Sequence, residues 1–263
     1  MDMGLEGKIA CVAGASRGLG RAVAAGLAAE GCRLSICARS QEDLARAGSE
    51  IAREFGVEVI YRDLDLARPG AAEAFLEHTL DHYGGVDILV TNAGGPPAGR
   101  FQDFSEEDWR RAVELTLLPA QAMARRALPA MIQGGGGVII NMTSISVKQP
   151  VPGLILSNSI RAAVTGWAKT LADEVGPQGI RVNNVCTGWM HTERVESLLE
   201  HRAQDQGITR DQALAQIQEA IPLGRLGQPQ EYADLVVFLA SERASYITGV
   251  SYLIDGGMYR GLM

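Results

Sequence analysis

The sequence predicts an α/β protein in which one parallel β-sheet carries helices on both faces. Short apolar runs rich in β-branched residues alternate with helical stretches along the chain, and this alternation is typical of repeated strand–helix–strand units. The runs are apolar almost throughout, as are strands that are buried on both faces. No linker-like stretch, low-complexity segment or fixed-period repeat interrupts the 263 residues, so we expect a single domain over 1–263.

Seven apolar runs predict the strands, because β-branched residues favour extended structure. They span 9–14, 33–38, 57–64, 86–94, 137–144, 180–188 and 251–255. The stretches between them predict helices, several of which begin at a serine cap and end at a glycine. These helices span 20–31, 40–56, 69–84, 105–133 and 159–176. In the fourth, Ser105 precedes Glu106 and Glu107, and acidic residues in a first turn suit the helix dipole.

The alternation changes after Gly188. Residues 189–229 are rich in charged residues and glutamine and indicate an inserted pair of helices. Because this segment follows the carboxyl end of a strand, where α/β proteins bind their ligands, we expect a helical flap at about 189–225 over the ligand crevice.

Composition excludes several classes of protein. The net charge is −7, whereas a nucleic-acid surface needs a basic face. No apolar run approaches the length of a membrane helix, and the N-terminus lacks the features of a signal peptide. The four cysteines include no CxxC pair, so we expect packed thiols in a reducing cytoplasm and a cytoplasmic protein. No group of residues has metal-ligand spacing.

A glycine-rich turn, GASRGLG at 14–20, joins the first strand to the first helix. Gly14 permits the tight turn, Gly18 allows close approach of a pyrophosphate, and Gly20 lets the helix pack on the sheet. The helix N-terminus then offers free N–H groups to phosphates. In this context the turn predicts dinucleotide binding on a Rossmann-type doubly wound parallel sheet.

The end of the second strand favours NADP(H) over NAD. The chain reads Cys37-Ala38-Arg39-Ser40 there, with no acid to bond the ribose hydroxyls and repel a 2′-phosphate. Arg39 and Arg17 can form charge-assisted hydrogen bonds to that phosphate. The alternative is that both are solvated surface arginines.

Over nearly its whole length the chain resembles the classical short-chain dehydrogenase/reductase family, and its 3-oxoacyl reductases in particular. The motifs that carry the resemblance stand in the family's order: GASRGLG (14–20), TNAG (91–94), IINMTS (139–144), GIRVNNVCTG (179–188) and the C-terminal region 221–257. The resemblance implies an oxidoreductase that transfers hydride between a nicotinamide cofactor and a small substrate.

The resemblance also implies further cofactor contacts. Asp65 and Leu66 would lie near the adenine, and Thr192 near the nicotinamide amide. The full set of predicted cofactor-binding residues is Gly14, Ser16, Arg17, Gly18, Leu19, Gly20, Arg39, Asp65, Leu66, Asn92, Ala93, Gly94, Arg161 and Thr192. Thr187 stands where the family usually has a proline, which loosens the turn before the nicotinamide site.

The expected catalytic residues are altered. In this family a serine, a tyrosine thirteen residues later and a lysine four residues further on carry out catalysis, often with an asparagine. In this sequence those positions hold Ser144, Ser157 and Arg161, and Thr116 stands where the asparagine is expected. These four residues are our candidate catalytic residues.

The substitutions are genuine, because no tyrosine occurs between Tyr83 and Tyr232 and the flanking sequence fits the family without a gap. Residues four apart share a helix face, so we expect Ser157 and Arg161 to face the crevice together. Arginine can replace lysine as a fixed cation but cannot release its proton, and an aliphatic hydroxyl is a far weaker acid than a phenol. General acid catalysis contributes roughly 10²–10⁴ in rate, so ordinary ketone reduction should suffer.

Three interpretations stay open. In the first, the protein is an NADPH-dependent reductase of an activated carbonyl, an imine or a conjugated double bond. Ser144 and Ser157 bind the substrate oxygen, Arg161 stabilises negative charge, and solvent or His191 supplies the proton. In the second, catalysis is lost and the protein is an NADPH-binding regulatory or scaffold subunit. In the third, it is a dehydratase, isomerase or carboxylate-binding enzyme on the same fold.

The segment GGPPAGRF at 94–101 predicts a stiff turn that forms one wall of the substrate pocket. We expect Arg161 or Arg100 to offer a handle for an anion. Four nearby side chains predict a largely apolar pocket: Leu154, Ile155, Leu156 and Trp189.

Family members are commonly tetramers, so the resemblance implies a homotetramer in which helices 105–133 and 157–176 pair and the C-terminal GMYRGLM meets a neighbour.

Overall fold

The strands form one sheet in which every pairing is parallel. The structure is a computed structural model that describes residues 2–262, and its strands are β1 (Ile9–Ala13), β2 (Arg33–Ala38), β3 (Val59–Asp63), β4 (Ile88–Thr91), β5 (Gly137–Ser144), β6 (Ile180–Thr187) and β7 (Ser251–Ile254). Their order in the sheet is β3-β2-β1-β4-β5-β6-β7. The order therefore reverses between β1 and β4, and ligands of such sheets bind at the carboxyl ends beside this reversal.

Helices cover both faces of the sheet, which confirms the predicted Rossmann-type fold class. They are α1 (Gly18–Ala29), α2 (Gln41–Phe55), α3 (Ala71–Tyr83), α4 (Glu106–Gln133), α5 (Ile155–Val175), α6 (Glu193–Gln206), α7 (Arg210–Ala220) and α8 (Pro229–Ala240). Side chains of α1, α2 and α8 pack on one face, and those of α3, α4 and α5 pack on the other.

Strand β1 illustrates how the sequence serves both layers. Ala10 and Val12 point into the core under α1 and α8, while Cys11 and Ala13 point into the core under α3 and α4. Side chains alternate along a strand, so a strand between two helical layers must be apolar at every position. All five residues of β1 are buried.

Two predicted boundaries differ from the structure by three residues or more. Strand β4 ends at Thr91 rather than at residue 94, since the residues that follow enter the crevice. Helix α5 begins at Ile155 rather than at Ser159. No side chain caps this helix, which removes the usual signal; instead the Asn158 amide bonds to both backbone polar groups of Val151 at 3.0 and 3.3 Å.

A ladder of buried polar side chains joins the strands beside the crevice. The Thr91 hydroxyl donates to Asn141 Oδ1 at 2.7 Å, Asn141 Nδ2 donates to Asn184 Oδ1 at 3.0 Å, and Asn184 Nδ2 donates to Ser251 Oγ at 3.0 Å. Buried polar groups are tolerated when they are hydrogen-bonded. The ladder fixes the register of β4, β5, β6 and β7 relative to one another.

Between β6 and α8 the chain forms α6 and α7, which share a small apolar core of their own. That core includes Leu199, Ala213 and Ile217.

The four cysteines of the chain are free and buried: Cys11, Cys32, Cys37 and Cys186. Burial raises the pKa of the Cys11 thiol to about 12. No helix within residues 2–262 is long and apolar enough to span a membrane.

Candidate active site

The glycine-rich turn has the backbone that its sequence predicts. Gly14 and Gly18 adopt φ of 62° and 56°, a region that favours glycine. A Cβ on Gly20 would lie 2.2 Å from the carbonyl oxygen of Gly14, so a side chain there is excluded. Asn92 Nδ2 donates to the same carbonyl at 3.3 Å, and this bond joins the turn to the end of β4.

The remaining predicted cofactor residues lie along the same edge of the sheet. Ser16 and Leu19 are partly buried at the turn, and Ala93 lines a pocket that begins at the end of β4. Thr192 approaches Gly18 from across the crevice. Its Cγ2 lies 3.7 Å from the position that a Cβ on Gly18 would occupy. Gly94, Asp65 and Leu66 follow the carboxyl ends of β4 and β3.

The two arginines predicted to meet a 2′-phosphate differ in their surroundings. Arg17 Nη1 pairs with Glu193 Oε2 of α6 at 2.5 Å, and both side chains are mostly exposed. Arg39 is exposed just beyond β2, and no acidic side chain within residues 2–262 forms an ion pair with it.

The four candidate catalytic residues lie on β5, α4 and α5, and of the four only Arg161 and Thr116 line the same pocket. Ser144 ends β5, and its Oγ accepts a hydrogen bond from the Ser146 N–H at 3.1 Å. Ser157 lies in the first turn of α5 and is 7% exposed. Arg161 follows one turn later, and its Nη1 donates to the Met142 carbonyl of β5 at 2.9 Å. This bond fixes the guanidinium against the strand.

Arg161 and Thr116 line one narrow pocket between α4, α5 and the sheet. The lining residues are Thr91, Asn92, Ala93, Thr116, Pro119, Ala120, Met123, Met142, Thr143, Arg161 and Val164. The Thr116 hydroxyl is buried there without a hydrogen-bond partner among the described residues. Pro119 lies inside α4 and, having no N–H, leaves the Leu115 carbonyl without its helical donor. The pocket wall therefore contains polar groups, the Thr116 hydroxyl and the Leu115 carbonyl, that are available to hydrogen-bond to a ligand.

Within residues 2–262, no carboxylate forms an ion pair with Arg161. Burial lowers the pKa of its guanidinium, and the neighbouring charge of Arg194 lowers it further. Arginine nevertheless stays protonated in proteins, so the pocket contains a desolvated positive charge. Such a charge strongly favours an anion or a developing negative charge beside it.

Tyr232 does not restore the missing phenol. It is completely buried in the core under α1 and α8, and its hydroxyl donates to the Val185 carbonyl at 3.1 Å. Burial also raises its pKa above the ordinary value. None of the described residues that line the pocket of Arg161 is a tyrosine.

Several predicted wall residues have other roles. Leu156 and Ile155 pack in a separate cluster with Ala112 of α4, and Trp189 packs against the core of α6 and α7. None of these three side chains lines the pocket of Arg161, and their place in a substrate pocket stays a prediction.

Two charged or titratable candidates also lie away from the pocket. Arg100, proposed as an anion handle, is 76% exposed and lies 3.5 Å from Asp205 of α6. His191 is exposed, while its backbone N–H donates to the Gly227 carbonyl at 2.8 Å.

Sequence reasoning missed the contacts that α6 makes across the crevice. The guanidinium of Arg194 lies on Gly95, and its Nη2 donates to the Pro96 carbonyl at 2.7 Å. No local motif marks Arg194, because its partners lie about a hundred residues away along the chain. Only the position of α6 after β6 could have suggested that this side chain reaches the crevice.

The chain belongs to the short-chain dehydrogenase/reductase family. Residues 14–259 match a family model described as enoyl-(acyl carrier protein) reductase, and relatives above 30% identity match over nearly the whole chain. The membership defines an oxidoreductase family and agrees with the fold and the glycine-rich turn.

Three similar proteins span different substrates. The 3-oxoacyl-(acyl-carrier-protein) reductase FabG of Escherichia coli (strain K12) is 37% identical, over 98% of this chain and 99% of its own. A D-beta-hydroxybutyrate dehydrogenase of Cupriavidus necator is 34% identical, over 96% and 98%. The crystal structure of L-sorbose reductase from Gluconobacter frateurii, complexed with NADPH and L-sorbose, covers 100% of both chains with a TM-score of 0.94 and 36% identity.

The unpartnered hydroxyl of Thr116 generates a stability prediction. Replacing Thr116 by valine keeps the shape of the side chain and removes a buried polar group that has no partner, so we expect the free energy of unfolding to rise by about 1 kcal/mol. Chemical denaturation of the cofactor-free protein measures this change.

Thr79→Val is the matched control. The Thr79 hydroxyl is also buried but bonds to Ser35 at 2.7 Å and to the Phe75 carbonyl at 3.1 Å, so this variant should lose about 1 kcal/mol. A loss of stability in Thr116→Val would mean that a bound water satisfies the hydroxyl, against our assignment.

Proposed function

We propose that this protein is an NADP(H)-dependent reductase that transfers hydride to a small activated carbonyl, imine or conjugated double-bond substrate, with a serine–serine–arginine site. The observation that carries the proposal is the position of Arg161: its guanidinium is fixed at the end of β5, in a pocket that Asn92, Ala93 and Thr116 also line. A cation in this pocket can stabilise the negative charge that develops as hydride arrives.

The cofactor end fits a dinucleotide phosphate. The glycine-rich turn excludes side chains where a pyrophosphate would approach the start of α1, and a helix N-terminus favours phosphate. Arg39 is free to meet a 2′-phosphate, and Arg17 can join it by releasing Glu193. The resemblance to L-sorbose reductase, whose structure contains NADPH, supports the choice of NADP(H). When bound, the cofactor would supply the hydride.

At the reacting end, the protein's own contribution is electrostatic and positional. Ser144 and Ser157 offer two hydroxyls to a substrate oxygen, while Arg161 supplies a permanent positive charge. Neither serine can match a phenol as an acid, and the proton therefore comes from solvent or from the exposed His191. A site with a fixed cation and two hydroxyls but no strong acid favours substrates whose reduced form needs little protonation in the rate-limiting step, such as enones, diketones and imines.

The first test follows NADPH absorbance with a panel of diketones, imines and enones. We expect consumption above background, and a loss of roughly 10²-fold or more in kcat/KM in Ser144→Ala and in Ser157→Ala, since each removes a donor to the developing oxyanion. Ser159→Ala is the control, because Ser159 is exposed on the same helix.

Two results contradict the proposal. No NADPH consumption with any substrate, alongside intact NADPH binding, would indicate a regulatory subunit. A product formed without net change in NADPH would instead indicate a lyase or isomerase on the same fold.

Cofactor choice is tested at Arg39. Removing its charge in Arg39→Ala should weaken NADPH binding roughly 10- to 100-fold, as expected for a charge-assisted hydrogen bond, and should leave NADH binding unchanged. Arg53→Ala, which removes another exposed arginine from α2, controls for net charge. Isothermal titration gives both affinities, and equal weakening for the two cofactors would refute the assignment.

We also propose a cytoplasmic homotetramer that pairs through α4 and α5. The outer faces of these helices carry exposed apolar or small residues, Leu118 on α4 and Ala162, Ala163 and Gly166 on α5. Ala163→Arg should reduce the sedimentation coefficient to that of a smaller species without unfolding the chain. A monomeric wild type would refute this assembly. The free, buried thiols are in keeping with a reducing compartment.

A further inference from the structure

We propose that the substrate of this site carries a carboxylate, and that Arg194 in the first turn of α6 binds it at the mouth of the pocket. The inference rests on the proposed function, because it names the substrate class of the same site. It is carried by the placement of Arg194 and by the pairing of the charges around it.

Arg194 is positioned by backbone rather than by an acid. A Cβ on Gly95 would lie 3.0 Å from Nη2, 3.2 Å from Nε and 3.3 Å from Cζ of Arg194, so the guanidinium packs on the bare glycine backbone. One bond, from Nη2 to the Pro96 carbonyl at 2.7 Å, fixes its direction. Gly95 and Pro96 continue the loop whose first residues, Asn92 and Ala93, line the pocket of Arg161.

The charges around the crevice sort into paired and unpaired groups. Arg17 pairs with Glu193 at the start of α6, and Arg100 pairs with Asp205 near its end. Arg161, Arg194 and the exposed Lys148 have no acidic partner within ion-pair distance in the described chain. Two positive charges near the loop that follows β4, Arg161 and Arg194, are therefore left without an acidic partner in the described chain.

The two unpaired arginines act on each other. The charge of Arg194 contributes to lowering the pKa of Arg161, so both guanidiniums lie within electrostatic range. Partial desolvation also lowers the pKa of Arg194 itself, although the residue as a whole is exposed. Arg181 is desolvated too, but it donates to four backbone carbonyls. Arg194 donates to one, and its other N–H groups can bind a ligand.

A carboxylate suits this arrangement. The planar guanidinium presents parallel N–H donors that match the two oxygens of a carboxylate, and an anion there relieves the repulsion between Arg194 and Arg161. The reacting carbonyl or double bond can then lie beside Arg161 and Ser144 while the carboxylate lies under α6. Charge pairing would thus orient the substrate in the pocket.

The experiment compares acid and neutral forms of one molecule. 4-Phenylbutanoate and 4-phenylbutanamide cannot accept hydride, so their binding to the NADPH complex, followed by the fluorescence of bound NADPH, is independent of turnover. 4-Oxo-4-phenylbut-2-enoate and its methyl ester then provide the kinetic comparison. The variants are Arg194→Ala and Arg194→Lys, with Arg100→Ala as the control that removes an arginine already paired with Asp205.

We expect the wild type to bind the acid more tightly than the amide. Arg194→Ala should weaken binding of the acid, and raise the KM of the oxo acid, roughly 10- to 100-fold, with little effect on the amide, the ester or NADPH. Arg194→Lys should recover part of this loss, because it restores the charge without the planar fork.

Three results would overturn the inference. The wild type could bind the acid and the amide equally, Arg194→Ala could leave the affinity for the acid unchanged, or Arg194→Ala could weaken the binding of NADPH rather than that of the acid. The last result would assign Arg194 to the cofactor phosphates. If the oxo acid and its ester are both inert while the acid still binds through Arg194, the proposed reductase function fails and the anion site stands.

Discussion

The partly buried guanidinium of Arg161 is the constraint on which the rest of the site depends. It is fixed to the Met142 carbonyl of β5, it faces a pocket with an unpartnered threonine hydroxyl, and no carboxylate offsets its charge within residues 2–262. A desolvated cation is costly unless negative charge is brought to it. The ligand or transition state must therefore supply that charge, which accounts for both the hydride chemistry and the anion proposed here.

The cofactor end and the reacting end of the crevice differ in how closely their residues resemble those of the family. The cofactor end keeps the glycine-rich turn, and Asn92 ties this turn to β4. At the reacting end, Ser157 and Arg161 stand where the resemblance implies a tyrosine and a lysine. The ladder from Thr91 to Ser251 lies between the two and holds four strands in register, so a change in side-chain chemistry at α5 need not disturb the sheet. Different residues at these positions of α5 are thus compatible with the fold.

The strand–helix alternation and the glycine-rich turn made the fold predictable, because both are local signals. The start of α5 was missed because Asn158 bonds to Val151 and no side chain caps the helix. Long-range contacts were also beyond sequence reasoning: nothing near Arg194 or Arg100 indicates that one meets Pro96 and the other Asp205. The four candidate catalytic positions rest on the family's spacing, which the sequence keeps even where the residues differ, and their roles stay predictions.

A crystal structure of the ternary complex with NADP⁺ and 4-oxo-4-phenylbutanoate would test the central claim most directly. We expect the ketone oxygen to lie within about 3 Å of a donor from Ser144 or Ser157, with the Arg161 guanidinium in the same pocket wall and no tyrosine beside the nicotinamide. A structure with Arg161 in bulk solvent, or with a tyrosine from a neighbouring subunit inserted into the cavity, would contradict it.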